Sequence, residues 1–193
     1  MTAKQIILKS FYPLLQFINK KFNKNMPVSS AGIQSKTSFY DLEMKQNNGQ
    51  VFSFQLLKGK KILLVNTASD CGYTAQYDGL EKLYIENKND MVILAFPAND
   101  FGQQEKADDS AIEQFCKINY GVTFPLMAKS SVVKGIDQNP VFKWLTDKND
   151  NGWNDKAPSW NFWKYLVDKN GNLTYYFESA VEPTDNSILQ AIK

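Results

Sequence analysis

The stretch Lys61–Thr67, KILLVNT, decides how this chain folds. It is nearly all apolar and short, so it reads as a strand buried on both faces. A loop carrying Cys71 follows. Leu80, Leu83 and Tyr84 then recur at helical spacing, which predicts a helix near Tyr77–Asn87. Met91–Phe96, MVILAF, is a second buried strand. Strand, helix and strand in that order predict a parallel βαβ unit.

The flanks add antiparallel pieces. Asn47-Asn48-Gly49 separates Phe39–Met44 from Val51–Phe54, and Asn170-Gly171 separates Phe162–Val167 from Leu173–Phe177. Both are hairpin signals. Helices are expected over Asp109–Asn119, with Ser110 near its cap, and over Asn139–Lys148, with Pro140 in its first turn. A short helix is expected over Thr184–Lys193, and Phe124-Pro125-Leu126 opens a further strand. The expected fold class is α/β, with a mixed central sheet flanked by helices in a thioredoxin-like arrangement.

The first 35 residues read differently. Apolar residues from Ile6 to Phe22 are interleaved with lysines, and Pro13 is expected to interrupt any continuous helix. Within Ile6–Phe22 the longest uncharged run, Ser10–Asn19, is too short to span a bilayer. Met26–Ser35 has the composition of a linker. The chain thus divides into a basic amphipathic tail and linker, 1–35, and a folded domain, 36–193. Residues 1–24 suit contact with an anionic membrane surface. A loose or self-packed tail and a targeting segment are the competing readings.

Charge and absent residue types narrow the chemistry. Residues 1–40 hold six lysines and no acid, which leaves 16 basic against 20 acidic residues in the rest. An acidic body does not suggest nucleic-acid binding. There is no histidine or arginine, so a Ser-His-Asp triad, a Cys-His pair and a histidine metal site are excluded. No metal or other cofactor is implied. The two cysteines, Cys71 and Cys116, stand 45 positions apart, which excludes a CxxC pair. Cys71 lies between a buried strand and a helix N-terminus, where N–H groups and the helix dipole favour a thiolate. A buried, inert cysteine fits that location equally well.

Asn66–Gly72 (NTASDCG), Phe96–Glu105 (FPANDFGQQE) and Trp160–Val167 (WNFWKYLV) resemble, in order, the three signature regions of the glutathione peroxidase family. Phe115–Pro125 (FCKINYGVTFP) resembles that family's short helix and following loop. The resemblance runs from about Phe39 to Lys193. It implies a thiol peroxidase that reduces hydrogen peroxide and organic or lipid hydroperoxides. Cys71 matches the peroxidatic position, and Gln104, Trp160 and Asn161 complete the family's catalytic tetrad. The amides and the indole are neutral N–H donors able to stabilise a thiolate without a charged partner. Taken singly, Trp160 also suits a core, and Gln104 and Asn161 suit loops or caps. Asn99 matches an asparagine beside the site, and Gly72 the glycine after the nucleophile, where a turn role is equally good.

Cys116 matches the resolving cysteine of two-cysteine members. That implies a Cys71–Cys116 disulfide reduced by thioredoxin. Its other reading is a small apolar residue on a helix face with Ile112 and Phe115. Glutathione is the alternative reductant, but members specific for it resemble each other in basic residues, often arginine, that this chain lacks. The short Asn149–Ser159 segment lacks the long insertion that resembles a tetramer interface in classical members, and this resemblance implies a monomer or small dimer. Ala98, Asp100 and Lys106 depart from the family pattern, and Asp70 and Asp100 are expected to raise the Cys71 pKa. The expected location is cytoplasmic, peripheral at a membrane surface. A redox sensor or membrane-surface binding module without turnover is the alternative function.

Overall fold

The computed structural model describes residues 1–22, 28–30 and 32–193. Lys24 and part of the expected linker, Met26, Pro27 and Ala31, lie outside the described residues. The elements are α1 (Ala3–Phe22), β1 (Val28–Ser29), β2 (Glu43–Lys45), β3 (Val51–Ser53), β4 (Lys61–Thr67), α2 (Gln76–Asn87) and β5 (Met91–Pro97). Then come α3 (Asp109–Tyr120), α4 (Pro140–Leu145), α5 (Lys148–Asn151), β6 (Lys164–Val167), β7 (Leu173–Phe177) and α6 (Asn186–Ala191).

The central sheet has the order β1-β7-β6-β4-β5. β4 and β5 are parallel, with Lys61 opposite Met91 and Thr67 opposite Pro97. β6 runs antiparallel to both β4 and β7. β4 alternates between two cores. Leu63 and Val65 pack with Leu80 and Leu83 of α2, Ile112 of α3 and Ile188 of α6. Ile62 and Leu64 pack on the opposite face with Phe39, Phe54 and the Phe142 and Trp144 rings of α4. Burial on both faces is why the strand shows no polar alternation. The mixed sheet with a helical layer on each side is the fold class expected from sequence.

Several boundaries differ from expectation. Phe39–Asp41 forms a 3-10 turn that sends Phe39 and Tyr40 into the core, so β2 starts later. Asp108 caps α3, accepting from Ala111 N at 2.9 Å, in place of the expected Ser110. The expected Asn139–Lys148 helix is two, because Asp147 caps a fresh turn by accepting from Asn149 N. Phe124–Leu126 contributes only an isolated bridge, Leu126 to Ala95.

The amino-terminal segment differs most. α1 runs straight through Pro13, which sits on the outward side, where water can take up the carbonyl left open. Part of the expected linker is instead the edge strand β1, with Val28 opposite Tyr176.

The second hairpin turns at Gly171, φ +84°, where an added Cβ would lie 2.8 Å from the Tyr40 ring. Gly171→Ala should therefore lower stability by about 2–3 kcal/mol. A thermal melt checks this, and an unchanged Tm would contradict it.

Candidate active site

Cys71 sits in the loop between β4 and α2 and is fully buried. Thr74 builds that loop. Its Oγ1 accepts from Cys71 N at 3.0 Å and lies 2.9 Å from Ala68 O. Thr74 N also donates to Cys71 O at 3.1 Å. This closed turn aims Tyr73 N at the Cys71 sulfur, 3.4 Å away.

The turn before β6 reaches the same sulfur from the other side. The side chains of Trp160 and Asn161 donate to Cys71, joined by the N–H groups of Tyr73 and Gly72. Gln104 is not among these donors. Its Oε1 instead accepts from Asn161 Nδ2 at 3.0 Å, so it orients the asparagine. Gly102 and Gln103 both have positive φ, +61° and +51°, which curls the 101–105 loop so that Gln104 faces Asn161. Trp160 is 39% exposed and lies 6.0 Å from the Phe101 ring, forming the roof over the thiol. Asn161 Oδ1 is buried without a hydrogen-bond partner.

Burial pushes the Cys71 thiol above its ordinary pKa, and the four donors oppose that push. Both acidic neighbours are held by other groups. Asp70 accepts from Gln5 Nε2 at 2.7 Å and pairs with Lys4 at 3.5 Å. Asp100 accepts from Ser131 Oγ at 2.9 Å and Val132 N at 2.8 Å. Both carboxylates are engaged away from the sulfur. Gly72 has an ordinary φ, and an added Cβ would meet only Leu15 at 3.8 Å. Its N–H, not a special turn conformation, is what it offers the site.

Asn99 accepts from Glu105 N at 3.0 Å and so braces the end of the 101–105 loop. Glu105 itself is buried and accepts from Ser69 Oγ at 2.9 Å. Burial raises its pKa to about 7. Cys116, on α3, is buried in the same core cluster as Cys71, and both thiols are free. Burial raises the Cys116 pKa to about 12, with a Tyr77 hydrogen bond working the other way.

Three positioning residues escaped the sequence reading. Asn66 Nδ2 donates to Trp160 O at 3.1 Å, and its Oδ1 accepts from Trp163 N at 2.9 Å. Lys164 is fully buried, and its Nζ donates to Phe162 O and Val181 O, both at 2.7 Å. Between them Phe162 is held at φ +64°, a conformation that a bulky residue adopts only under constraint. Thr74 is the third. A polar Asn66 and a charged Lys164 inside apolar strands were the available signals.

The family model "Glutathione peroxidase" matches residues 39–146. This chain belongs to the glutathione peroxidase family. It is 49% identical over 146 residues to the glutathione peroxidase-like peroxiredoxin GPX5 of Chlamydomonas reinhardtii, covering 75% of this chain and 89% of that one. It is 46% identical over 149 residues to glutathione peroxidase-like peroxiredoxin 2 of Saccharomyces cerevisiae, covering 77% and 91%. The crystal structure of Trgpx in apo form superposes with a TM-score of 0.62 at 36% identity, covering 82% and 97%. The chain is a thiol peroxidase with a thioredoxin-like fold.

The raised Glu105 pKa has a consequence for stability. Between the unfolded carboxyl's titration near 4.5 and the folded one near 7, the folded state holds the extra proton. Stability therefore falls as pH rises through that window and stays at the lower level above it. Glu105→Gln should flatten this slope and raise stability at pH 8 by about 3 kcal/mol at most. Urea unfolding at pH 5 and pH 8 measures it. An unaltered slope would mean that another group titrates there.

Proposed function

We propose that Cys71 is the peroxidatic nucleophile and that Trp160, Asn161 and Gln104 set its reactivity. The observation that carries this reading is the convergence of two side-chain donors, from residues 160 and 161, with two backbone N–H groups on one sulfur. The thiol loses its proton, and the thiolate attacks the terminal peroxide oxygen. The O–O bond breaks, and the electron pair leaves on the alkoxide, which takes the proton and departs as alcohol or water. Cys71 becomes a sulfenic acid. Neutral donors can hold the charge on sulfur through this step without a histidine. The unpartnered Asn161 Oδ1 suits the hydroxyl hydrogen of an incoming hydroperoxide. The substrates are hydrogen peroxide and organic or lipid hydroperoxides. Asn99 and Gly72 support the nucleophile from beside it.

Cys116 resolves the sulfenic acid. Its thiolate attacks the Cys71 sulfur, water leaves, and a disulfide forms. A dithiol of the thioredoxin type then exchanges with that disulfide. The support for thioredoxin over glutathione is Cys116 itself together with the absence of arginine. Val122 N and Gly121 N both bind Cys116 O, so releasing Cys116 requires the carboxy-terminal end of α3 to open. Residues 36–193 form the catalytic domain, and residues 1–35 add α1 and the edge strand β1 to it. The enzyme acts in the cytoplasm as a monomer or small dimer, held at a membrane surface through residues 1–24.

Cys71→Ser should reduce hydroperoxide turnover to background; turnover that survives it would overturn the assignment. Asn161→Ala removes a donor and so raises the thiol pKa further. The rate at pH 7 should fall about 10- to 100-fold, and the alkaline rise of the pH–rate profile should move to higher pH.

Cys116→Ser should consume one equivalent of hydrogen peroxide and then stall with thioredoxin as donor. Sustained turnover with thioredoxin in that variant would remove the resolving role. In the wild type, amide exchange over residues 116–122 should be faster in the oxidised form than in the reduced form.

A further inference from the structure

α1 is docked on the body through a mixed side made of Gln5, Leu8, Lys9, Tyr12 and Leu15, all buried or half-buried. Gln5 Nε2 reaches Asp70 Oδ1 at 2.7 Å, Lys9 Nζ reaches Asp78 at 3.3 Å, and the Tyr12 hydroxyl donates to Glu182. Lys9 also lies 4.4 Å from the centre of the Tyr120 ring. Residues 5, 9 and 12 follow helical spacing, so they define the inward side. The opposite side carries Ile6, Ile7, Phe11, Leu14, Phe17 and Ile18, all exposed, with Phe11 and Phe17 at 63% and 64%. A helix resting on a domain ordinarily turns its apolar side in and its polar side out. Here the more apolar side faces out. An apolar strip of this length on a surface marks a place that something else covers.

We propose that the outward side of α1 docks into the headgroup region of an anionic lipid bilayer while its inward side stays on the domain. This deepens the membrane-surface reading of residues 1–24 and shares its fate. Charge selects lipid over a second copy. Lys4 and Lys9 are paired with Asp70 and Asp78, but Lys20, Lys21 and Lys24 follow the apolar strip in sequence and residues 1–40 hold no acid, so an anionic surface attracts this segment while a second copy brings only like charge. The remainder of the chain is net acidic and is repelled by such a surface, which leaves this segment facing it. Among the described residues no helix is long and apolar enough to cross a membrane, so α1 lies in the interface rather than through it. Asp70, which α1 grips, immediately precedes Cys71, and Leu15 faces Gly72. Docking therefore holds the Cys71 loop within about one helix diameter, ~10 Å, of the headgroups.

The test is co-sedimentation of the full chain with phosphatidylcholine vesicles, with and without phosphatidylserine. Binding should require phosphatidylserine and weaken with salt. In Phe11→Glu/Phe17→Glu it should drop at least about ten-fold while hydrogen peroxide reduction is retained, since both rings point away from the domain. Amide exchange across residues 69–78 should not change on vesicle binding if α1 stays docked. No binding to phosphatidylserine vesicles, or equal binding by the double variant, would overturn the proposal. So would a dimer in light scattering that the double substitution dissociates, because a second copy would then cover the strip. Loss of protection in residues 69–78 on binding would overturn the docked geometry. Binding needs no turnover, so an active enzyme that ignores vesicles sinks the docking alone. A vesicle-binding protein that leaves hydrogen peroxide intact sinks the peroxidase mechanism alone.

Discussion

The Asn66 carboxamide at the end of β4 grips the 160–163 turn by two side-chain hydrogen bonds, to Trp160 O and from Trp163 N. Its backbone adds two more, accepting from Phe162 N and donating to Trp163 O. Five residues later the same chain delivers Cys71. One strand end therefore fixes both the sulfur and the turn that supplies two of its donors. A buried amide left without its partners loses about 1–3 kcal/mol for each unmade bond, so the turn has no low-energy alternative. Lys164 acts from the far side, tying Phe162 O to Val181 O. Burial pulls the Lys164 pKa below its ordinary value, and the Glu182 charge resists that pull. The strained Phe162 backbone persists because both anchors over-determine it.

At Cys71 two effects oppose each other. Removal from water disfavours the thiolate, and four neutral N–H groups favour it; burial is the larger effect in this closed state. A histidine or arginine would have reversed the balance, but the chain has neither. The donors gain strength from the same dry surroundings that penalise the charge. They are also oriented before any peroxide arrives, so little rearrangement opposes the reaction itself. Trp160 stays partly exposed while its side chain favours the thiolate.

In the proposed cycle Cys116 is a second sulfur kept in reserve. α3 is well closed, by the Asp108 side chain at its start and by left-handed Gly121 at its end. Burial holds the Cys116 thiol protonated, so it is inert until exposed. Opening the helix end would remove that burial and lower the pKa in the same movement. The proposed cycle thus couples access and reactivity through one conformational change.

By itself the sequence determined the sheet-forming strands β4 and β5, both hairpins and the residues that gather at the sulfur. Unbroken apolar runs admit only two-sided burial, and Asn-Gly turns admit few alternatives. It also located Gln104 within the site but not its task, because an amide serves equally as a donor to sulfur or as an acceptor for Asn161. Tertiary structure alone decided that point, along with the engagement of Asp70 and Asp100 away from the thiol. It likewise decided that α1 continues through Pro13 and lies apolar side outward. Helical periodicity reveals that two sides differ, but which side faces the domain depends on Asp70, Asp78 and Glu182, residues brought beneath α1 only by folding.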